Sequence, residues 1–284
     1  MKILQASMLG LMLLCSSAVA ESAPVAAPIA RNLVREGEGT VQHPTRILLT
    51  GDSLMEGLGP QMKKALDGYA NLTLIPIGKK STGLSRPDFY NWPQVLEKNM
   101  VAHKPQIVVM WVGTNDPQNI HGMKGLGEPL SIDWQKAYYG KLMEIVSIVR
   151  KHNARLILMG PPIMDEQPLD KQLQGIIRIM DWTCRNNGAQ FLNTRPILAD
   201  ANGRYMQRAR LQNGKVVDIR TRDHVHITSD GNILVMDKLL PYLSKYLPGN
   251  KLHRRSTSAK HRLGSRSSSG IRGTSIPRSS QEVH

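Results

Sequence analysis

Between Thr45 and Thr194 the chain alternates short, continuous apolar runs with longer stretches in which apolar residues recur at helical spacing. The runs are RILLT (46–50), LTLIPI (72–77), QIVVMWVG (106–113), ARLILMG (154–160) and QFLNT (190–194). Runs of this length, apolar throughout, fit strands buried on both faces, as in parallel sheets. Helical patterns lie between them. Pro60 after Gly59 predicts the first turn of a helix running through QMKKALDGY. PQVLEKNMVAH predicts a second, IDWQKAYYGKLMEIVSIVRKHN a long amphipathic third, and LDKQLQGIIRIMDWTCRNNG a fourth that stops at Gly188. A last helix is expected from about Asp230 to Leu247. Strand–helix alternation of this kind predicts one α/β domain over residues 44–248, with a parallel sheet and helices on both faces. One departure is RYMQRARL and KVVDIR flanking Asn213-Gly214, the strongest short signal for a β-hairpin.

The ends of the chain have a different composition. Residues 1–20 read as a secretory signal: Lys2, an apolar segment from Ile3 to Leu14, then Ala18-Val19-Ala20 as a cleavage site. Leu14 stands where a lipoprotein signal ending at Cys15 would want a small residue. The signal predicts a periplasmic or secreted protein. Residues 21–43, rich in Ala and Pro without periodicity, read as a linker. No later stretch approaches the ~20 apolar residues of a membrane span. Removal of the signal takes Cys15 with it, and Cys184, inside a helical pattern, is expected to be a buried, inert thiol. The net charge is +15. Nearly half sits beyond residue 250, where eight Lys or Arg face one acid, Glu282. This Ser/Arg-rich tail (residues 249–284) has scarcely any apolar pattern and is expected to be disordered. It reads either as a solvating tail or as a contact to an anionic surface; nucleic acid is not expected for an exported protein.

Three polar clusters fall at or near predicted strand ends, where open α/β sheets bind ligands. They are Gly51-Asp52-Ser53, Gly113-Thr114-Asn115-Asp116, and DHVHIT (223–228), just ahead of the last helix. A serine hydroxyl becomes a nucleophile when a histidine takes its proton and a carboxylate orients that histidine. Asp223 and His226 are three residues apart, within mutual reach on a loop or turn, and Ser53 could sit opposite. His224 competes locally with His226, because the two would point the same way in an extended segment. Asp52 is expected to hold the turn through backbone amides, and Asp116 to brace its loop. Neither Walker spacing nor G-x-G-x-x-G is present, and Asp52 would repel a phosphate. No metal-binding spacing occurs, and serine chemistry needs no cofactor.

With these residues in view, the chain resembles the SGNH (GDSL-type) hydrolases. Gly51-Asp52-Ser53-Leu54, Gly113-Thr114-Asn115-Asp116 and Asp223-His224-Val225-His226 correspond to three of that superfamily's blocks, in order, within about residues 44–248. STGLSRPDFYNWP (81–93) is similar to a segment of a bacterial exported branch without a settled function. The resemblance implies a flavodoxin-like three-layer α/β/α fold with a five-stranded parallel sheet, the hairpin being inserted near the active site. It implies Ser53 as nucleophile, His226 as base and then acid, and Asp223 as its partner. The oxyanion would be held by the backbone N–H of Ser53, the side-chain amide of Asn115 and the N–H of a second-block glycine. Gly78, directly after the second strand, is the expected glycine, with Gly83 its rival because GKKSTG does not align uniquely. It implies an ester substrate; export turns the expectation towards acetyl esters on envelope polysaccharide or peptidoglycan. The same triad could transfer acetyl groups to a sugar hydroxyl, or the fold could survive as a glycan-binding protein without turnover.

Overall fold

A computed structural model of the chain describes residues 44–211 and 214–247. The expected signal, linker and basic tail, and the Asn213 of the hairpin turn, lie outside the described residues.

Five strands, β1 (Thr45–Gly51), β2 (Leu72–Gly78), β3 (Ile107–Trp111), β4 (Arg155–Met159) and β5 (Gln190–Leu192), form one sheet in the order β2-β1-β3-β4-β5. All neighbouring pairs are parallel. Successive residues of a strand point to opposite faces, so an all-apolar strand feeds two cores at once. Ile47 and Leu49, Val109 and Trp111, and Ile157 and Met159 pack on one face against α1 (Ser53–Leu66) and α5 (Ser229–Ser244). Leu48, Val108, Met110, Leu156 and Leu158 pack on the other with α2 (Trp92–His103), α3 (Ile132–Lys151) and α4 (Gln167–Asn187). The result is the expected three-layer α/β/α arrangement.

Helix ends follow local chemistry. Asn91, Ser131 and Thr228 cap α2, α3 and α5 through side-chain oxygens. Gly188 ends α4 with φ +68°, a conformation that suits glycine. The first helix departs from the sequence expectation. It begins at Ser53, seven residues before Pro60, and Pro60 lies inside it. Asp52, accepting a hydrogen bond from the Leu54 N–H at 2.9 Å, provides a cap strong enough to start the helix directly after β1. Cys184 is buried, and burial pushes its thiol up to about 12.

The expected hairpin is present as β6 (Arg208–Arg210) and β7 (Val216–Asp218), antiparallel and separate from the main sheet. Its β7 end runs directly into the segment that carries Asp223 and His226.

Candidate active site

β1 sits between β2 and β3, so the chain leaves it first towards one sheet edge and later towards the other. The crevice beyond the carboxyl ends of these strands is where such sheets bind ligands. Ser53 stands there, half-buried, as the first residue of α1. The turn that delivers it is tightly built. Gly51 has φ +149°, and a Cβ on it would lie 2.0 Å from the Trp111 carbonyl oxygen. The Asp52 N–H donates to that same carbonyl at 2.9 Å, and the Lys79 N–H donates to the Gly51 carbonyl at 2.9 Å. The N–H of Ser53 is one of those at a helix start that have no intrahelical acceptor.

Asp52 is fully buried. Burial raises its carboxyl to about 7, opposed by the Leu54 N–H and reinforced by the nearby charge of Asp116. Asp116 is also fully buried. It accepts hydrogen bonds from the Ser85 N–H at 2.9 Å and the Tyr138 hydroxyl at 2.7 Å. Its carboxyl too is raised by burial. The two acids brace the first and second sequence clusters from behind.

Asn115 lies on the loop after β3. Its side-chain amide donates to the Thr82 carbonyl at 2.9 Å, which leaves its second N–H available. That bond bears on the glycine question. Gly83 follows Thr82, and a Cβ on it would lie 2.2 Å from Asp116 Oδ1. Gly78 instead lies beneath α1, where a Cβ would meet the Glu56 backbone at 2.3 Å. Gly83 is thus the glycine brought beside the Asn115–Asp116 loop, while Gly78, the one expected from the sequence, packs against the α1 backbone.

Asp223 and His226 meet as expected. His226 Nδ1 lies 2.6 Å from Asp223 Oδ2. The other carboxylate oxygen accepts from the Val225 and His226 N–H groups at 2.9 and 3.0 Å and from the Thr221 hydroxyl at 2.5 Å. Partial burial would raise this carboxyl, but the hydrogen bonds win and hold it well below the usual carboxylate range. It is therefore ionised at neutral pH and fixes the proton of His226 on Nδ1. Nε2 has no partner among the described residues, and neither has the Ser53 hydroxyl. No hydrogen bond joins the two. Their elements are neighbours: α1 packs on α5, with Gly57 facing Asn232.

His224, the local competitor, faces elsewhere. Its Nδ1 lies 2.7 Å from Asp165 Oδ2 on the loop after β4, and its ring stacks on Tyr205. One residue was not anticipated. Arg220 is 1% exposed and donates to the carbonyls of Val225, at 2.8 Å, and Ile163. Burial lowers its guanidinium to about 10. An antiparallel bridge between Arg220 and Ile227 closes the loop at its base. Arg220 thus ties the Asp223–His226 loop to the loop after β4. In the sequence it is one of several arginines around the hairpin, and nothing local marks it as buried. No group of three or more His, Cys, Asp or Glu side chains among the described residues could hold a metal ion.

Residues 46–242 match the family described as "Protein of unknown function (DUF459)". No curated protein matches the sequence. Several solved structures share the fold. A GDSL-like lipase from Bacteroides thetaiotaomicron is 16% identical, with a TM-score of 0.53 over 72% of this chain and 89% of that one. A carbohydrate acetylesterase family member from Sinorhizobium meliloti is 17% identical, with a TM-score of 0.52 over 71% of this chain and 98% of that one. A catalytic mutant of an acetylxylan esterase from Geobacillus stearothermophilus is 15% identical, with a TM-score of 0.52 over 70% of this chain and 94% of that one. Catalytic mutants of that esterase replace a serine, an aspartate and a histidine, the last two being three residues apart.

Proposed function

Since the chain belongs to the family described as "Protein of unknown function (DUF459)" and has the SGNH hydrolase fold, we propose that it is an exported serine esterase that removes acetyl groups from cell-envelope carbohydrate. The observation that carries this reading is the Asp223–His226 pair at 2.6 Å, on a loop whose following helix packs against the helix that Ser53 begins. The same three-residue spacing separates the catalytic aspartate and histidine of the acetylxylan esterase.

The chemistry follows from the donor and acceptor set. With its Nδ1 proton held by Asp223, His226 takes the Ser53 proton at Nε2. Ser53 Oγ attacks the ester carbonyl carbon. The oxyanion is met by the N–H of Ser53, the free N–H of Asn115 and the N–H of Gly83, each such donor being worth about 3 kcal/mol in the transition state. His226 then protonates the leaving sugar oxygen. Water, deprotonated by the same His226, releases acetate from the acyl-enzyme. The signal of residues 1–20 would deliver the enzyme to its substrate, and the basic tail would hold it to anionic envelope material.

The test is acetate release from acetylated glycan, and turnover of p-nitrophenyl acetate, by wild type and Ser53→Ala. A fall of about 10⁴-fold or more with melting behaviour unchanged is expected. Turnover retained in Ser53→Ala would overturn the reading.

A further inference from the structure

Beyond the carboxyl ends of β4 and β5 lies an open cleft of about 520 Å³. That volume is within the range of small-molecule sites. Such sites are mostly apolar, yet this one is lined chiefly by polar side chains from the loop after β4, from α4 and from the segment before β6. Whatever occupies it must hydrogen-bond along its length. The cleft adjoins the Asp223–His226 loop through one residue, His224, because Asp165 and Tyr205 both line the cleft and both contact His224.

The charges decide the ligand class. Arg195 holds Asp170 with two bonds of 2.6 and 2.8 Å, and Arg204 holds Asp200 at 3.0 Å. Asp165 is held by His224 at 2.7 Å. Both arginines of the lining are therefore held by carboxylates, Asp165 is a third acid beside them, and neither arginine is left over for an anion. The two guanidinium groups still present unused N–H groups at their edges, whereas Asp170 and Asp200 each already accept four hydrogen bonds, so acceptors come from Asp165 and the glutamine amides. Gln167 and Gln174, also in the lining, add neutral amides. Donors and acceptors are interspersed, as alternating hydroxyl groups require. The Tyr205 ring is already occupied by His224 and by Arg220, whose guanidinium lies 5.3 Å from its centre. Recognition here would rest on hydrogen bonds rather than on stacking.

We propose that this cleft is a binding subsite for an uncharged, hydroxyl-rich oligosaccharide, the sugar part of the substrate, and that it does not take polyuronate or phosphorylated glycan. The inference rests on the esterase reading for its role in turnover, but binding itself can be measured without turnover. The full chain carrying Ser53→Ala is titrated, by calorimetry or ligand-observed NMR, with xylotetraose, with the tetramer of N-acetylglucosamine and with tetragalacturonate. The two neutral probes separate xylan-like from peptidoglycan-like sugar. At least one neutral tetramer is expected to bind, and at least tenfold more tightly than the charged one. Gln174→Ala and Arg204→Ala, each added to this background, should weaken that binding about fivefold or more, the worth of one lost hydrogen bond. Gln167→Ala stands in if either variant fails to fold. In the catalytically intact chain, the same substitutions should lower kcat/KM for acetylated oligosaccharide relative to p-nitrophenyl acetate. Tighter binding of tetragalacturonate, binding that all cleft variants leave unchanged, or no binding of any tetramer would overturn the subsite. Neutral-sugar binding that depends on the cleft, in a wild type that turns over no ester, would uphold the subsite and remove the esterase reading.

Discussion

The turn that carries Ser53 and the loop that carries Asp223 and His226 are held by opposite means. Around Ser53 almost everything is main chain or buried. Gly51 touches the Trp111 carbonyl, Asp52 is fully enclosed, and the Glu56 N–H donates to the Asp52 carbonyl at 2.9 Å. Around His226 side chains carry much of the fixing, through the Asp223 carboxylate, the Thr221 hydroxyl and the Arg220 guanidinium, and the pair they hold is about half exposed, 44% for His226 and 49% for Asp223. Arg220, which ties this loop down, is buried. Main-chain and core fixation cannot be altered without cost to the fold. Side-chain fixation can be removed piecewise. Substitutions of the groups that hold the first region should therefore register chiefly as changes in stability, and substitutions of those that hold the second as lost rate.

The largest effect should come from Gly51→Ala. Its Cβ would meet carbonyl oxygen at 2.0 Å in a backbone conformation that favours glycine. A loss of about 4 kcal/mol or more in urea unfolding is expected; a loss under about 1 kcal/mol would contradict the rigid account of this turn.

Asp52→Asn sharpens the same region through pH. The folded carboxyl titrates at about 7, against about 3.9 in the unfolded chain. Between those values the native state keeps the proton and the unfolded state has lost it, so this group makes stability fall as pH rises and then level off above 7. Asn cannot titrate and still caps the helix. The variant should gain on wild type by roughly a few kcal/mol between pH 5 and pH 8. Equal urea midpoint shifts for the two proteins over that range would refute the assignment.

Arg220→Met tests the second region. It strips two carbonyls of their donors and frees the loop. A fall of about 10–100-fold in kcat/KM is expected, roughly 1.4–2.8 kcal/mol. Arg220→Lys should recover part of it, since an ammonium can still reach a carbonyl. Activity unchanged in Arg220→Met would show that the loop needs no such tie.

The smallest effect concerns the contact between the regions. Asn232 is 1% exposed, and neither its amide nitrogen nor its oxygen has a hydrogen-bond partner among the described residues. Replacing an unsatisfied buried amide by an apolar side chain of similar volume forfeits no hydrogen bond. Asn232→Leu should change stability by less than about 1 kcal/mol, or raise it. A loss above about 2 kcal/mol would indicate a partner, such as an enclosed water, at the α1–α5 contact.

The two regions also differed in how far the sequence revealed them. The strands were legible because they carry short, nearly continuous apolar runs, and Gly188 and the hairpin were legible because turn chemistry is local. The Asp223–His226 pair was legible because three residues suffice to join them. The start of α1 was not. Pro60 looks like a first-turn residue, whereas Asp52 caps the helix eight residues earlier. Arg220 and the His224–Asp165 pair were also hidden. One depends on burial that only the folded loop creates, and the other joins residues 59 positions apart. The placement of Gly83, rather than Gly78, beside Asn115 follows from a contact between Asn115 and Thr82, 33 positions apart, which no reading of GKKSTG could supply.

The central claim is that Ser53 is a nucleophile activated by His226. The most direct test is to treat the full chain with a fluorophosphonate and locate the adduct by peptide mass spectrometry. The account predicts one adduct, on Ser53, forming at least about 100-fold more slowly in His226→Ala. An adduct on another residue, or labelling of Ser53 at the same rate without His226, would contradict it.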